Sequence, residues 1–193
     1  MWTLVSLLCF TAVVIPYTLM NYDEPLTPHQ WQVLEIMLQL AAAKACLVFT
    51  VNIITGNYSQ VDKLWSLVPA LYVWVAAWYG GMNERQILMG SVVSVWSARL
   101  TYNFARKGGY SWRFWEGEED YRWAELRKNP VFAHPVMWFI FNLTFISVYQ
   151  SFLICSFTFP IVLSVNPEQP LNWLDAVAAA LVLGFVTLEY FAD

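Results

Sequence analysis

Charge is scarce in this sequence: 12% of its 193 residues are Asp, Glu, Lys or Arg, against about 25% in soluble domains. That shortage excludes an ordinary water-soluble enzyme. Cysteine is scarcer still, and Cys9, Cys46 and Cys155 each stand alone inside an apolar run with no C-x-x-C pair. Neither a zinc site nor a disulfide framework is indicated, and buried, inert thiols are expected. The two histidines, His29 and His134, both stand beside prolines in expected loops, which argues for turn roles and against a histidine metal site. The sequence has no P-loop, G-x-S-x-G, H-E-x-x-H or Rossmann glycine fingerprint. A net charge of -4 and ten cations gathered largely in one segment leave no general cationic field, so nucleic acid is not expected as a partner.

Apolar and aromatic residues fill the space that charge leaves. Hydrophobic residues make up 59% of the chain, with 11 Trp, 10 Tyr and 13 Phe, and the mean hydropathy is +0.48. A helix crosses a bilayer with about 20 mainly apolar residues. Six runs come near that length: 1–20, 31–54, 64–80, 86–104, 136–163 and 174–192. The expected fold is all-α: a single polytopic transmembrane helical bundle over residues 1–193, of about six spans, with a short interfacial cytoplasmic helix. The first run lacks a basic stretch before Trp2 and a small-residue cleavage site after it, so it reads as a retained helix. Pro16 and Pro160 are expected to kink or end their helices. Six of the ten cations, Arg106, Lys107, Arg113, Arg122, Arg127 and Lys128, fall between the fourth and fifth runs. Cations concentrate on the inner side of a membrane, which makes loop 105–135 cytoplasmic. With six spans, both termini and Val61-Asp62-Lys63 share that side.

The fourth run ends in a polar stripe. Helical spacing puts Trp96, Arg99, Tyr102, Asn103 and Arg106 on one face, and Gly108-Gly109 is placed to stop the helix. An arginine inside a membrane helix costs a few kcal/mol if unpaired, so Arg99 is expected to face protein, water or an anionic ligand; snorkelling to headgroups is the plainer alternative. Beyond the glycines, acids gather at the start of Glu118–Lys128 and bases at its end. That order suits a helix dipole, with Glu118 and Arg122 spaced to pair. The four acids within Glu116–Asp120 lack the alternation of an EF-hand loop, so no metal is assigned. Asp62, Trp65 and Ser66 share a face at the entry to the third run, where Ser59 or Asp62 serves equally well as a helix cap. Glu35 and Lys44 lie on opposite faces of the second run. Lys44, nearer mid-membrane, needs a partner or must lose its proton, and Glu189 in the last run is a candidate anion.

Three ordered blocks carry a family resemblance: Asn57-Tyr58-Ser59-Gln60-Val61-Asp62-Lys63-Leu64-Trp65-Ser66, then Arg99-Leu100-Thr101-Tyr102-Asn103-Phe104-Ala105-Arg106-Lys107-Gly108-Gly109, then Gly117-Glu118-Glu119-Asp120-Tyr121-Arg122-Trp123. From about Asn57 to its end the sequence resembles the steroid 5-alpha-reductase-like family of multi-pass membrane proteins, in its broad branch. The resemblance implies a helical bundle that uses NADPH to reduce a carbon–carbon double bond in a sterol, enone or other lipid-like substrate. It implies that Arg99, Asn103, Arg106, Glu119, Asp120, Tyr121 and Arg122 lie where the dinucleotide binds. Asp62 or Tyr102 is then the group that polarises a substrate carbonyl. The Glu and Tyr pair of characterised steroid reductases is not matched, since Trp96 stands near the position expected for that tyrosine. Family members continue past the block matched by Leu188–Asp193 into a further Arg-x-Pro-Asn-Tyr-like segment. The expectation is therefore a partial cofactor site, or one that a partner completes. The alternatives are a non-catalytic lipid-binding or assembly protein, a truncated family member, or a related membrane methyltransferase that binds S-adenosylmethionine. Membrane lipids are expected partners in every case.

Overall fold

The computed structural model describes residues 25–113, 119–165 and 170–192, and the regular structure among them is entirely helical. The first run, 1–20, and with it Pro16, lies outside the described residues. Helix α1, Pro28–Thr55, starts in a capping box: Thr27 accepts from the Gln30 amide and the Gln30 side chain accepts from the Thr27 amide. Pro28 suits the first turn because its missing N–H would have no partner there. Gly56, at φ +67°, ends the helix. The run over 64–80 is divided between α2, Gln60–Trp65, and α3, Val68–Tyr79. Helix α4, Glu84–Arg106, begins at an Asn83–Gln86 capping box and stops at Gly108, whose φ is +82°. Gly109 then turns so closely against Phe104 that a Cβ would stand 2.3 Å from the ring.

Short helices follow: α5, Tyr121–Arg127, and α6, Pro130–Ala133. Their caps, Asp120 and Asn129, accept from the amides of Arg122 and Val131. A long apolar rod runs from Pro135 to Leu163, as α7 (Pro135–Phe141), a π-helical stretch (Asn142–Tyr149), α8 (Gln150–Ser156) and α9 (Pro160–Leu163). His134 caps it through Nδ1, which accepts from the Val136 amide, in keeping with the turn role read from its neighbouring proline. Helix α10, Trp173–Ala192, completes the set.

Three of the described helices, Pro28–Thr55, Pro135–Leu163 and Trp173–Ala192, are long and apolar enough to cross a membrane, and α3 is a shorter apolar helix. The protein is an all-α membrane protein. Helix α4 has the length to span, but Glu84, Arg85, Arg99 and Arg106 lower its apolarity. At the centre α1 packs on α3 and on the π-helical and α8 parts of the rod, α4 packs on α3, and α10 lies outermost against α4. Met37, Val48, Tyr72, Ile146, Ile154 and Ile161 form the core. In α10 Val186 alone is buried, which leaves an apolar surface suited to lipid.

Two contacts fix the register of α1 on the rod: the Asn52 and Asn142 side-chain amides meet at 2.8 Å, and Cys155 Sγ lies 3.7 Å from the Met37 carbonyl. Lys44 falls midway between them, opposite Ser147 and Ser151. The bundle also has two distinct ends. At one, His29 meets the Tyr79 carbonyl, Asn83 donates to the Ser164 carbonyl and Arg85 pairs with Asp175 at 2.8 Å. At the other, Tyr110 donates to the Lys63 carbonyl and the Tyr58 amide donates to Glu119, so the Val61-Asp62-Lys63 segment and the described parts of loop 105–135 meet.

Candidate functional site

A cavity of about 620 Å³ opens at the end of the bundle where α2, α4, α5 and the rod converge. Asp62, Trp65 and Ser66, on one face of α2 by their spacing, all line it. Leu100 and Phe104, one turn apart, come from α4; Asp120, Arg122 and Trp123 come from α5 and its cap; Tyr149 and Gln150 come from the rod. The π-helical stretch ends at Tyr149. Wide turns of this kind recur at functional sites, and here the stretch turns Phe145 and Tyr149 to the cavity and Ile146 and Ser147 to the core.

Ser59 organises the acidic corner of this cavity. It occupies the N-cap position of α2 but makes no cap hydrogen bond there. Its hydroxyl oxygen instead accepts from the Asp120 amide at 2.8 Å and from Trp123 Nε1 at 3.1 Å. Thus α5 is tied to α2 through one buried hydroxyl. Burial pushes the Asp62 carboxyl above the usual carboxylate range; the Ser59 hydrogen bond opposes that shift, the negative charge of Asp120 adds to it, and Arg122 opposes it. Asp62 Oδ2 is buried without a hydrogen-bond partner. Asp120 goes the other way. The Arg122 guanidinium grips it through Nε at 2.7 Å and through Nη2, and holds it below the ordinary range. Within one cavity, one aspartate is therefore biased towards the acid and its neighbour towards the carboxylate.

The residues singled out from sequence fall into two groups. Asp62, Asp120 and Arg122 line the cavity. Glu119 and Tyr121 flank it: Glu119 accepts from the Tyr58 amide at 2.8 Å, and the Tyr121 side chain is exposed. Arg99, Tyr102, Asn103 and Arg106 stand on the other face of α4, in a shallow crevice shared with Tyr190 of α10. There Arg99 pairs with Glu189 at 2.9 Å and Arg106 donates to Asn103 at 2.9 Å. The stripe thus exists, but Leu100 and Phe104, which stand beside it in sequence, are the α4 residues that reach the cavity. Arg122 is bound to Asp120; Glu118, the partner expected from spacing, lies outside the described residues, as does Glu116. No cluster of three metal-ligating side chains occurs among the described residues. Ser59, Trp123, Tyr149 and Gln150 were not singled out as site residues. Ser59 was legible as a capping candidate, whereas the rod residues carry no signal beyond hydrophobicity.

Known proteins bear on this site in two ways. The model of a family described as "Protein of unknown function (DUF1295)" matches residues 48–193, a stretch that contains the whole cavity. An uncharacterized protein of Schizosaccharomyces pombe is 35% identical over 152 residues, which is 76% of this chain and 42% of that relative. The chain thus spans less than half the length of the curated relative it matches. No solved structure matches it.

Proposed function

The chain belongs to the DUF1295 family, and from that premise we propose that it is a membrane-embedded NADPH-dependent reductase of a carbon–carbon double bond in a lipid-like enone or sterol, as in the steroid 5-alpha-reductase-like proteins it resembles. The observation that carries this reading is the partnerless, buried Oδ2 of Asp62 in a cavity walled by Trp65, Phe104, Trp123, Phe145 and Tyr149. A buried polar atom without a partner costs about 1–3 kcal/mol. A ligand oxygen that receives its hydrogen bond removes that cost.

The cavity volume is within the range of about 300–1,000 Å³ usual for small-molecule sites. Its flat aromatic walls suit a planar ring such as nicotinamide. The phosphates suit it less well inside, where the Arg122 guanidinium is already taken by the Asp120 carboxylate. They suit the Phe104 edge, from which the chain runs on through the exposed Arg106, Lys107 and Arg113. In this reading the cations hold the dinucleotide by its phosphates and the aromatic walls orient its ring. NADPH, when bound, supplies the hydride.

The chain's own contribution is electrostatic. In its acid form, which burial favours, Asp62 donates from Oδ2 to the substrate carbonyl oxygen and stabilises the enolate that develops. Ser59 ties α5 to the Asp62 end of α2 by accepting from the Asp120 amide and Trp123 Nε1, and the Asp120–Arg122 pair caps α5 beside the opening. The apolar walls exclude water, which strengthens each of these interactions. Tyr102, the other donor read from sequence, is exposed and lies across α4 from the cavity, so Asp62 is the proposed proton-holding group.

The test is a titration of the purified chain in detergent with NADPH, NADH and S-adenosylmethionine, followed by tryptophan fluorescence. Saturable quenching by NADPH that Trp123→Phe diminishes is the expected result. A helical sample that binds none of the three refutes the reading, and one that binds S-adenosylmethionine instead replaces it with methyl transfer.

A further inference from the structure

A second concavity, of about 480 Å³, lies between the end of α1 and the start of the rod. Ile53, Phe132 and Phe139 give it apolar walls, and Tyr58, Arg127 and Trp138 supply its polar side. The Arg127 guanidinium lies 4.2 Å from the Trp138 ring centroid and 4.7 Å from that of Tyr58. It lies against two rings that meet edge to face, with centroids 5.1 Å apart, and its exposed N–H edge is left for a planar or tetrahedral anion. No acid of the described chain takes that edge. Glu125, two residues away, is paired with Lys128 at 2.6 Å, and Glu119 accepts from the Tyr58 amide. Trp138, 6% exposed, has a buried Nε1 with no acceptor, a second unspent donor at the same place.

The depth of this groove indicates what it holds. Helix α1 has 28 residues, about 42 Å of helix, against a hydrocarbon core of about 30 Å. Its last turn, with Ile53, therefore reaches the edge of the hydrocarbon core, where acyl chains meet headgroups. Phe139 stands in the opening turns of the rod, a second candidate span, and Tyr and Trp beside an Arg are the side chains that the interface favours. An apolar wall at that boundary, ending in a guanidinium that no acid of the described residues takes, is complementary to the first part of an acyl chain and the phosphate beyond it.

We propose that this groove is a binding site for an anionic glycerophospholipid, with the phosphate on Arg127 and one acyl chain along Ile53, Phe132 and Phe139. The site is separate from the Asp62 cavity and requires no catalytic activity of the protein. Its likeness to the phosphate chemistry of a dinucleotide makes NADPH the necessary competitor in the test.

The experiment is native mass spectrometry of the 193-residue chain in a non-ionic detergent, titrated with phosphatidylglycerol and, separately, with phosphatidylcholine. Phosphatidylglycerol is expected to bind more tightly than phosphatidylcholine. Arg127→Gln weakens that binding about fivefold to tenfold, and Arg127→Lys, which keeps the charge but loses the planar guanidinium, weakens it less. Trp138→Phe, which keeps the ring and removes the N–H, gives a smaller loss and guards against a folding artefact at Arg127. Equal binding of the two lipids, or undiminished phosphatidylglycerol binding by Arg127→Gln, overturns the proposal. Displacement of the lipid by NADPH also overturns it, because the groove then belongs to the dinucleotide.

Discussion

Replacing Lys44 by methionine should stabilise this protein, although the residue lies in the middle of its central helix. Lys44 is 16 residues from the start of α1 and 11 from its end, roughly 24 Å and 16 Å along the axis. Its side chain is 7% exposed, and Nζ has no hydrogen-bond partner. The register set by Asn52–Asn142 and Cys155–Met37 places it opposite Ser147 and Ser151, whose hydroxyls are equally unpartnered. An unsatisfied buried polar group costs about 1–3 kcal/mol, and more if charged. Methionine has nearly the same length and flexibility, so it removes that cost and opens little space. The expected gain is about 1–3 kcal/mol, and a chain of this size moves about 2–4 °C per kcal/mol. Lys44→Met should therefore raise the melting temperature by roughly 2–12 °C. Lys44→Ala tests the packing half of the argument, since it removes the amine but leaves a void that costs what the amine released. The assay is thermal unfolding in one detergent, followed by circular dichroism. A melting temperature for Lys44→Met several degrees below that of the parent refutes the reasoning, because it would show that the amine makes a favourable interaction in the bundle.

Three further outcomes follow from the site. Ser59→Ala leaves the Asp120 amide and Trp123 Nε1 without their acceptor and should cost about 2 kcal/mol; a chemical-denaturation midpoint equal to the parent's would exclude Ser59 as the link between α2 and α5. Asp62 carries its folded-state pKa above the unfolded value, so its contribution is fully present below the unfolded pKa of about 4 and is lost as pH rises through the folded value. Asp62→Asn should flatten the decline in stability above the carboxylate range, and a decline unchanged in the variant would assign it elsewhere. Asp120 has the opposite sign: Arg122 lowers its pKa, so its contribution is present above about pH 4 and is lost as pH falls through the folded value. Asp120→Ala should cost about 1 kcal/mol at neutral pH through the lost cap, with the difference from the parent shrinking in acid.

The helices were legible because membrane helices declare themselves by length and apolarity. Four of the five runs that fall within the described residues became single helices or one continuous rod within a few residues of the limits read from sequence, and the caps at Thr27, Asn83 and His134 explain their starts. The run over 64–80 divided because Ser66 and Leu67 sit at a turn ahead of Pro69, where proline can begin a helix but cannot extend one. The site was legible in part for a related reason. Spacing within one helix is local, so the shared face of Asp62, Trp65 and Ser66 could be read directly. Which face of α4 meets which neighbour is set by packing between helices separated in sequence. Helical spacing grouped Arg99, Tyr102, Asn103 and Arg106 correctly, but it could not show that α10 claims that face through Glu189 while Leu100 and Phe104 turn to the cavity.

That division of α4 makes a sharp claim about the Arg99–Glu189 pair. Arg99 is 11% exposed at its side chain and Glu189 is 54% exposed, so most of the desolvation falls on the guanidinium. Glu189→Gln takes away its carboxylate while retaining a hydrogen-bonding group of the same size. An exposed pair is worth about 0–1 kcal/mol, whereas removing one partner of a buried pair costs about 3–5 kcal/mol; this half-buried pair should fall between, near 2 kcal/mol. If the pair serves to dock α10 on α4, a double-mutant cycle of Glu189→Gln and Arg99→Gln should show coupling of about 1 kcal/mol, with NADPH binding at the other face of α4 and lipid binding in the groove between α1 and the rod both unchanged. If Arg99 instead holds a phosphate, Arg99→Gln should abolish NADPH binding while Glu189→Gln, by removing a carboxylate that competes with the phosphate, strengthens it. The two variants then move affinity in opposite directions, which a purely structural pair does not do, and the sign of the Glu189→Gln effect on the NADPH titration decides between them.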